Sequence, residues 1–380
     1  NIYALAVDRK NNVWAGTESG GLNYLDRRSG KFRYYTNNPK DKYSLAGNNI
    51  KAILVEENNN MWVGTYQTGV SYFDSYSQKF INYGYDKDDP KKLHSGNVHS
   101  LSKDPVNKNL LWVGTDRGVS LLTISAGIFS KMETGILNGI EIPDAMSKNH
   151  AHAIVALDHQ RVAFALASGL YILDYAANKI TSYTDLNGIS LAPTLFLHVD
   201  RRGALWFYAE GHLCRMNAKS SDITVLSKEQ KLPDVQFLGA FDDEFGNMWL
   251  SSNHGIYKMI NLVNNQDALI IHSFGRFANL QSMEFLYGSG AISSQGEIFF
   301  GGINGFNSFF PKQVKINPFR PYVHITEMLI DNKEVAVGQT FFGDVVLEKS
   351  IINTDYIRIF HKTKSFSFKF NALHYNAPEN

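Results

Sequence analysis

Six carboxylates recur along the chain in similar surroundings: Asp8, Glu56, Asp104, Asp158, Asp200 and Asp242. Acids arranged around a common axis could cleave a glycosidic bond, so this series is the first candidate for catalysis. Each stands at the end of an apolar run, just before a turn carrying Asn or Gly. A carboxylate there accepts backbone N–H groups and shapes a hairpin, and that is the role its position supports. His150-Ala151-His152 puts two imidazoles on one strand face, a spacing some metals use. No third ligand lies nearby in sequence, which favours loop and core histidines. Gly16, Gly64, Gly69, Gly114, Gly118, Gly169 and Gly255 fit bulges or positive-φ positions. A phosphate cradle would need a following helix, and none is predicted. The single cysteine, Cys214, excludes an internal disulfide and a cysteine metal cluster. No Ser/His/Asp or Cys/His arrangement with a nucleophile elbow is visible. The expectation is therefore no catalytic residue, no metal and no cofactor.

The elements that would position these residues form a repeat. Asn60-Met61-Trp62-Val63-Gly64-Thr65 returns as Val13-Trp14-Ala15-Gly16-Thr17, Leu111-Trp112-Val113-Gly114-Thr115, Ala204-Leu205-Trp206-Phe207 and Asn247-Met248-Trp249-Leu250-Ser251. In each copy an apolar run ends in an acid, a polar turn leads to the Trp strand, and a loop ending in Gly leads to another apolar strand. Ala163 and Phe299 occupy the Trp position in two further copies, which makes seven. A period of roughly 40–50 residues made of short strands is the signature of propeller blades. Four strands per blade are expected. After Pro311 the repeat stops, and Asn317, Pro318 and Pro321 mark a boundary. Val323 to Ile330, the turn Asp331-Asn332 and Lys333 to Val337 read as a hairpin, and Ser365 to Phe370 alternates aromatic and polar. The fold class is thus all-β: a seven-bladed β-propeller over residues 1–311, followed by a truncated immunoglobulin-like β-sandwich over 312–380. Asn1-Ile2-Tyr3-Ala4-Leu5 already reads as a strand, so the chain is expected to be a fragment.

Lys plus Arg number 37 and Asp plus Glu 36, for a formal net charge of +1. Nucleic-acid binders carry a basic excess or stripe, so nucleic acid is not expected as a partner. Arg27-Arg28 and Arg201-Arg202-Gly203 fall in turns and read as solvated charge. No apolar run approaches the roughly 20 residues of a membrane span.

In a four-stranded blade, the loop entering the innermost strand and the loop between the second and third strands emerge on one face, where ligands usually meet loops. The first set contributes Asn48, Asn49, Asn97, His99, Asn149, His150, Gln236 and Gln281. The second contributes Glu18, Tyr66, Gln67, Asp116, Arg117, Glu210, His212, Asn253, His254 and Asn304. Amides, imidazoles and an aromatic suit sugar hydroxyls and the apolar face of a pyranose. The candidate ligand-binding residues are Tyr66, Gln67, Asp116, Arg117, His150, His212, His254 and Asn304.

The N-x-x-W-V-G-T copies followed by G-V-S-Y-F-D, the closing Phe300-Gly301-Gly302-Ile303-Asn304-Gly305-Phe306 with Phe309-Phe310-Pro311, and the tail Ala372 to Asn380 together carry a resemblance. The chain resembles the extracytoplasmic sensor region of hybrid two-component systems from Bacteroides-type bacteria. There, regulator-propeller repeats precede an immunoglobulin-like triple-tyrosine domain, a membrane span and a histidine kinase. The resemblance implies a periplasmic portion of an inner-membrane protein, membrane-anchored in its full length and homodimeric. It also implies a non-catalytic fragment that binds, or transmits the binding of, an oligosaccharide to control glycan-utilisation genes. Only one propeller is present, and blade four lacks its Trp. A propeller glycosidase or polysaccharide lyase and a protein-binding scaffold are the alternatives.

Overall fold

The computed structural model describes residues 1–86, 88–89, 91–131, 135–137, 139–217, 219–226, 232–260, 269–276, 278–315 and 322–373. Asn317, Pro318 and Pro321 and the tail from 374 onward, read above as a boundary and a family signature, lie outside the described residues. The chain divides into two compact units, Asn1–Val314 and Lys315–Asn380.

Among the described residues the first unit has seven antiparallel blade sheets, each built from strands in sequence order, and two short two-stranded hairpins, Gly135–Leu137 with Ile140–Ile142 and Asp185–Leu186 with Ile189–Ser190. Blade one runs Ile2–Val7, Val13–Thr17, Leu22–Asp26 and Lys31–Tyr35. Blades two to six repeat this pattern, with innermost strands Ile50–Val55, Val98–Lys103, Ala151–Ala156, Thr194–Val199 and Phe237–Asp242. Blade seven departs from the expected four strands. Among the described residues it has three, Phe285–Ile292, Ile298–Gly302 and Gly305–Phe309. The innermost strands of blades seven and one lie side by side, which closes the ring. Closure uses side chains, not a shared strand: Ser289 Oγ donates to the Ile2 carbonyl at 2.7 Å, and Arg27 pairs with the nearly buried Glu297. Leu5, Val13 and Ala15 pack on Ala291 and Phe299 beneath these contacts.

The hydrophobic clusters of this unit fall at the joints between blades. Trp14 packs with Ile50, Met61 and Phe73 of blade two. Trp62 packs with Val98, Leu111 and Val113 of blade three, and Trp112 with Ile154 and Phe164 of blade four. Trp206 meets Phe237 and Leu250, and Trp249 meets Phe285, Ile298 and Phe300. Each indole is therefore a wedge driven into the next blade. Gly64 makes room beside it: a Cβ there would stand 2.6 Å from Val98 Cγ1. Its requirement is close approach rather than the bulge or positive φ expected from sequence, whereas Gly69, at φ +93°, does need the left-handed region.

The recurring carboxylates act on these wedges. Trp62 Nε1 donates to Glu56 at 2.9 Å, Trp112 to Asp104 at 2.8 Å, Trp206 to Asp200 at 2.9 Å and Trp249 to Asp243 at 3.0 Å. In the three Asp cases the other oxygen accepts two turn N–H groups, as from Phe245 and Asn247 to Asp243 Oδ1 at 3.0 and 2.9 Å. The turn role expected for the series holds for Asp8, Asp104, Asp158 and Asp200, whose carboxylates accept backbone N–H groups of their turns, whereas that of Glu56 accepts from Trp62 and the Tyr72 hydroxyl instead. In blade six the clamp is Asp243, while Asp242 points to blade five and bonds His198 Nε2 at 2.8 Å. Blade four, with Ala163 in place of Trp, puts buried Leu157 where the acid would be, and blade seven pairs Phe299 with Ser293. Without an indole N–H to satisfy, a buried acid would only add desolvation cost.

In the second unit Tyr322–Ile330 pairs with Lys333–Glu334 and with Phe366–Leu373. The hairpin at Asp331-Asn332 is as expected, with a shorter second strand. Met328, Ile330, Val335, Val346, Leu347 and Ile351 form its core, and Phe366, Phe368 and Phe370 are exposed.

Three measurements check these contacts. Trp62→Ala should cost about 3–5 kcal/mol in chemical denaturation through the cavity it leaves, and a loss under about 1 kcal/mol would refute the wedge. In a double-mutant cycle, Asp243→Ala and Trp249→Phe should couple by about 0.5–3 kcal/mol, because either change alone orphans the partner; strict additivity would contradict the clamp. Cys214 is fully buried and burial pushes its thiol up to about 12. It should therefore resist alkylation at pH 8 until urea unfolds the chain, and rapid labelling of the native protein would show that the strand is open.

Candidate functional site

Every innermost strand carries an irregularity at the same place. In blades one to six one extra residue bulges from the ladder, between Ile2 and Ala4, Ile50 and Ala52, Val98 and Ser100, Ala151 and Ala153, Thr194 and Leu197, and Phe237 and Gly239. Blade seven makes a longer excursion between Phe285 and Gly290. A bulge re-aims a side chain that would otherwise follow the strict alternation of the strand. The residues so displaced are Tyr3, Lys51, His99, His152, the Leu195-Phe196 pair and Leu238, with Leu286 to Ser289 in blade seven.

All but Leu238 and Ser289 line a central cavity of about 490 Å³. Ionisable and aromatic groups occupy one arc, from Tyr3 through Lys51 and His99 to His152, which His150 joins from the preceding loop. Leu195, Phe196, Leu197, Leu286 and Tyr287 form the opposite arc. The imidazoles pack in sequence: His99 lies tilted at 39° against His150 with centroids 4.2 Å apart, and His150 stacks on His152 at 4.1 Å with planes 15° apart. Lys51 Nζ stands 3.0 Å from the centroid of the Tyr3 ring and 5.9 Å from that of Tyr66.

Burial sets the electrostatics. It pulls His99 and His152 down from 6.5 to about 4, helped in each case by His150, and it lowers His150 against the pull of Asp116. It also lowers Lys51, with Glu18 opposing. Tyr287 is pushed up to about 12 by burial. Asp116 is held below its ordinary value: burial works against the charge, but hydrogen bonds from Ser95 and Asn97 and the charges of His99 and Arg117 outweigh it. At neutral pH the arc is one cation beside three neutral imidazoles. Among the described residues no group of three His, Cys, Asp or Glu could hold a metal ion.

Of the eight residues singled out from sequence, His150 lines the cavity, Tyr66 flanks Lys51, and Asp116 acts on the histidine stack. The other five sit in the turns of their own blades. The Gln67 N–H donates to Asn97 Oδ1 at 3.0 Å and that of Arg117 to Thr115 Oγ1 at 3.1 Å. His212 Nδ1 lies 2.9 Å from the Glu210 carbonyl. The His254 N–H donates to Ser252 Oγ at 2.8 Å, and that of Asn304 to Gln281 Oε1 at 2.7 Å. Tyr3, Lys51 and Tyr287 were missed, and His152 was weighed only as half of a metal spacing with His150. A signal existed: Tyr3, Lys51, His152, Leu195 and Leu238 stand at one fixed distance ahead of the Trp position. Reading them as strand residues hid the bulge.

With this geometry in place, the chain can be set beside known proteins. Residues 44–67, which enter blade two and cover its first two strands, match the family model "Two component regulator propeller". That segment is one copy of the repeat traced above. Over 130 residues the chain is 32% identical to "Histidine kinase P4" of Formosa agariphila, covering 34% of this chain and 9% of that protein. The extracellular domain of BT3049 from B. thetaiotaomicron, assigned by its description to a hybrid two component system, superposes with a TM-score of 0.68 at 20% identity. That match covers 98% of this chain and 46% of the other. The extracellular domain of BT4673 from the same organism, described as a one component system, gives 0.62 at 16% identity over 97% and 48%. The chain spans less than half the length of these solved domains. The regulator-propeller resemblance drawn from the repeat motifs is borne out. Among the described residues, no helix is long and apolar enough to cross a membrane.

The histidine stack predicts a pH dependence of stability. An imidazole with a depressed folded value leaves the unfolded chain as the better proton binder. Its contribution is intact above the ordinary range near 6.5 and is lost progressively as pH falls toward about 4. His99→Gln with His152→Gln should therefore flatten the fall in urea midpoint between pH 7 and pH 4.5. An unchanged slope would mean these imidazoles titrate normally.

Proposed function

We propose that this chain is a ligand-receiving sensor segment of a two-component regulatory protein, and that its ligand is an oligosaccharide entering the central cavity from the loop face. The single observation that carries the reading is the bulge ring, which places polar donors on one arc and apolar and aromatic surface on the other, around a space of ligand size. Hydroxyls of a sugar would meet the first arc and the C–H face of a pyranose the second. Support for the two-component setting comes from the regulator-propeller match and the partial identity to a histidine kinase.

In this reading the segment is non-catalytic and periplasmic, works as a homodimer, and belongs to a membrane-anchored protein whose kinase lies elsewhere. The second unit would be the start of the triple-tyrosine immunoglobulin-like domain and the route toward the membrane. A ligand can bias such a receptor only by the difference in its affinity for two arrangements.

A thermal-shift screen against oligosaccharides of defined linkage tests it. Ligand at 100 times its dissociation constant adds about 2.7 kcal/mol to stability and raises the melting temperature by a degree or more. A shift confined to one sugar class is the expected result; silence across the panel overturns a ligand site in this propeller.

A further inference from the structure

Resting on the oligosaccharide reading above, we propose that the sugar is anionic, with the carboxylate of a uronic acid or a sulfate ester seated between Lys51 and the histidine stack of the central cavity. Lys51 is the decisive residue. It is half-buried, and its ammonium faces the Tyr3 and Tyr66 rings with no ion pair among the described residues. A cation brought out of water without a counterion loses solvation that only a partner's charge restores.

Glu18 is the carboxylate whose charge acts on it, and burial outweighs that pull. Glu18 accepts from Asn1 Nδ2, and Asp116 accepts from Ser95 Oγ and from Asn97 Nδ2 at 2.8 Å. The charged groups acting on the stack are Lys51 from blade two and Asp116 from blade three, with Arg117 acting on Asp116, and Glu18 and Tyr3 of blade one on Lys51. Tyr287 looks across from blade seven. Each neutral imidazole offers one N–H and one acceptor nitrogen, so the excess of donors on this arc comes from the Lys51 ammonium. An acceptor-rich anion complements that imbalance, and the Leu195, Phe196 and Leu286 wall accommodates the ring that carries it.

Charge placed beside the stack favours imidazolium, so binding takes up protons. Affinity then rises as pH falls from neutral, while a carboxylate or sulfate ester stays ionised in that range.

The test is isothermal titration of the 380-residue chain at pH 7.5 and 5.5. The charged probes are trigalacturonate, trimannuronate, a hyaluronan tetrasaccharide and a 6-O-sulfated galactan tetrasaccharide; the neutral ones are carboxyl-methylated trigalacturonate and galactotriose. The expected result is binding by at least one charged probe, tighter at pH 5.5, with proton uptake revealed by buffers of different ionisation enthalpy. Methylation or desulfation of that probe should abolish its binding. Lys51→Met should weaken it about tenfold or more and Lys51→Arg should restore most of it. His152→Gln, which keeps a donor, should reduce the gain at pH 5.5 while leaving affinity at pH 7.5 within about twofold.

Binding by neutral probes alone, or charged-probe binding that Lys51→Met leaves unchanged in a variant with an unaltered melting temperature, overturns the anionic assignment and spares the oligosaccharide reading. No binding by either group overturns both. Binding of one charged type and not the other distinguishes carboxylate from sulfate as the source of the anion.

Discussion

The indole that a blade drives into the flank of its neighbour is the contact on which the propeller depends. A blade is a small sheet with two faces to cover, and no single sheet of four short strands holds itself together in water. Trp62, Trp112, Trp206 and Trp249 cover that surface at four joints, each almost wholly buried. Burying an indole also buries its N–H, which must find an acceptor. The carboxylate at the end of the innermost strand supplies one, and its second oxygen or the adjoining turn fixes the hairpin that leads to the Trp strand. One acid thus ties the joint between blades to the turn within a blade. The two exceptions obey the same logic: where the indole is replaced by Ala163 or Phe299, the acid is replaced by Leu157 or Ser293.

Trp14 shows what the clamp excludes. Its Nε1 is buried with no partner, while Asp8 accepts from Asn12 Nδ2 at 3.1 Å through Oδ2 and from the turn through Oδ1. Blade one belongs to the joint at which the ring closes. There Arg27 with Glu297, and Ser289 with the Ile2 carbonyl, add polar ties that are specific to this joint. Closure by side chains leaves the innermost strands of blades seven and one free to converge on the axis as the others do.

That convergence creates the cavity. Seven strands pointing at one axis would crowd it if every inward residue were large, and Ala4, Ala52, Ser100, Ala153, Gly239 and Gly290 are small at the level next to the bulges. The bulges then turn a second set of residues inward at one level. Because that set is not needed for joints between blades, its chemistry is free to vary, and it does: Tyr, Lys, His and His on one side, Leu and Phe on the other. The architectural columns of the repeat are nearly uniform, whereas this column is diverse within one chain. Diversity at a shared inward position is what a binding surface requires and a packing surface does not.

Most of the fold was legible in the residues. The Trp spacing gave the number of blades, the acids marked the turns, and the break after Pro311 marked the change of unit, since strands joined by short turns depend on local pattern. The carboxylate ring that would have signalled catalysis resolved into turn clamps for the same local reason. The site was less legible. His150, Asp116 and Tyr66 were within reach because they lie in loops, but Lys51, His152 and Tyr3 sit inside strands whose alternation assigns them elsewhere. The sequence by itself determined how many blades form and what joins each to the next. Only the tertiary structure decided which residues face the axis, because a one-residue bulge reverses a side chain's direction without altering the apolar pattern around it, and residues far apart in sequence become neighbours only once the ring has closed.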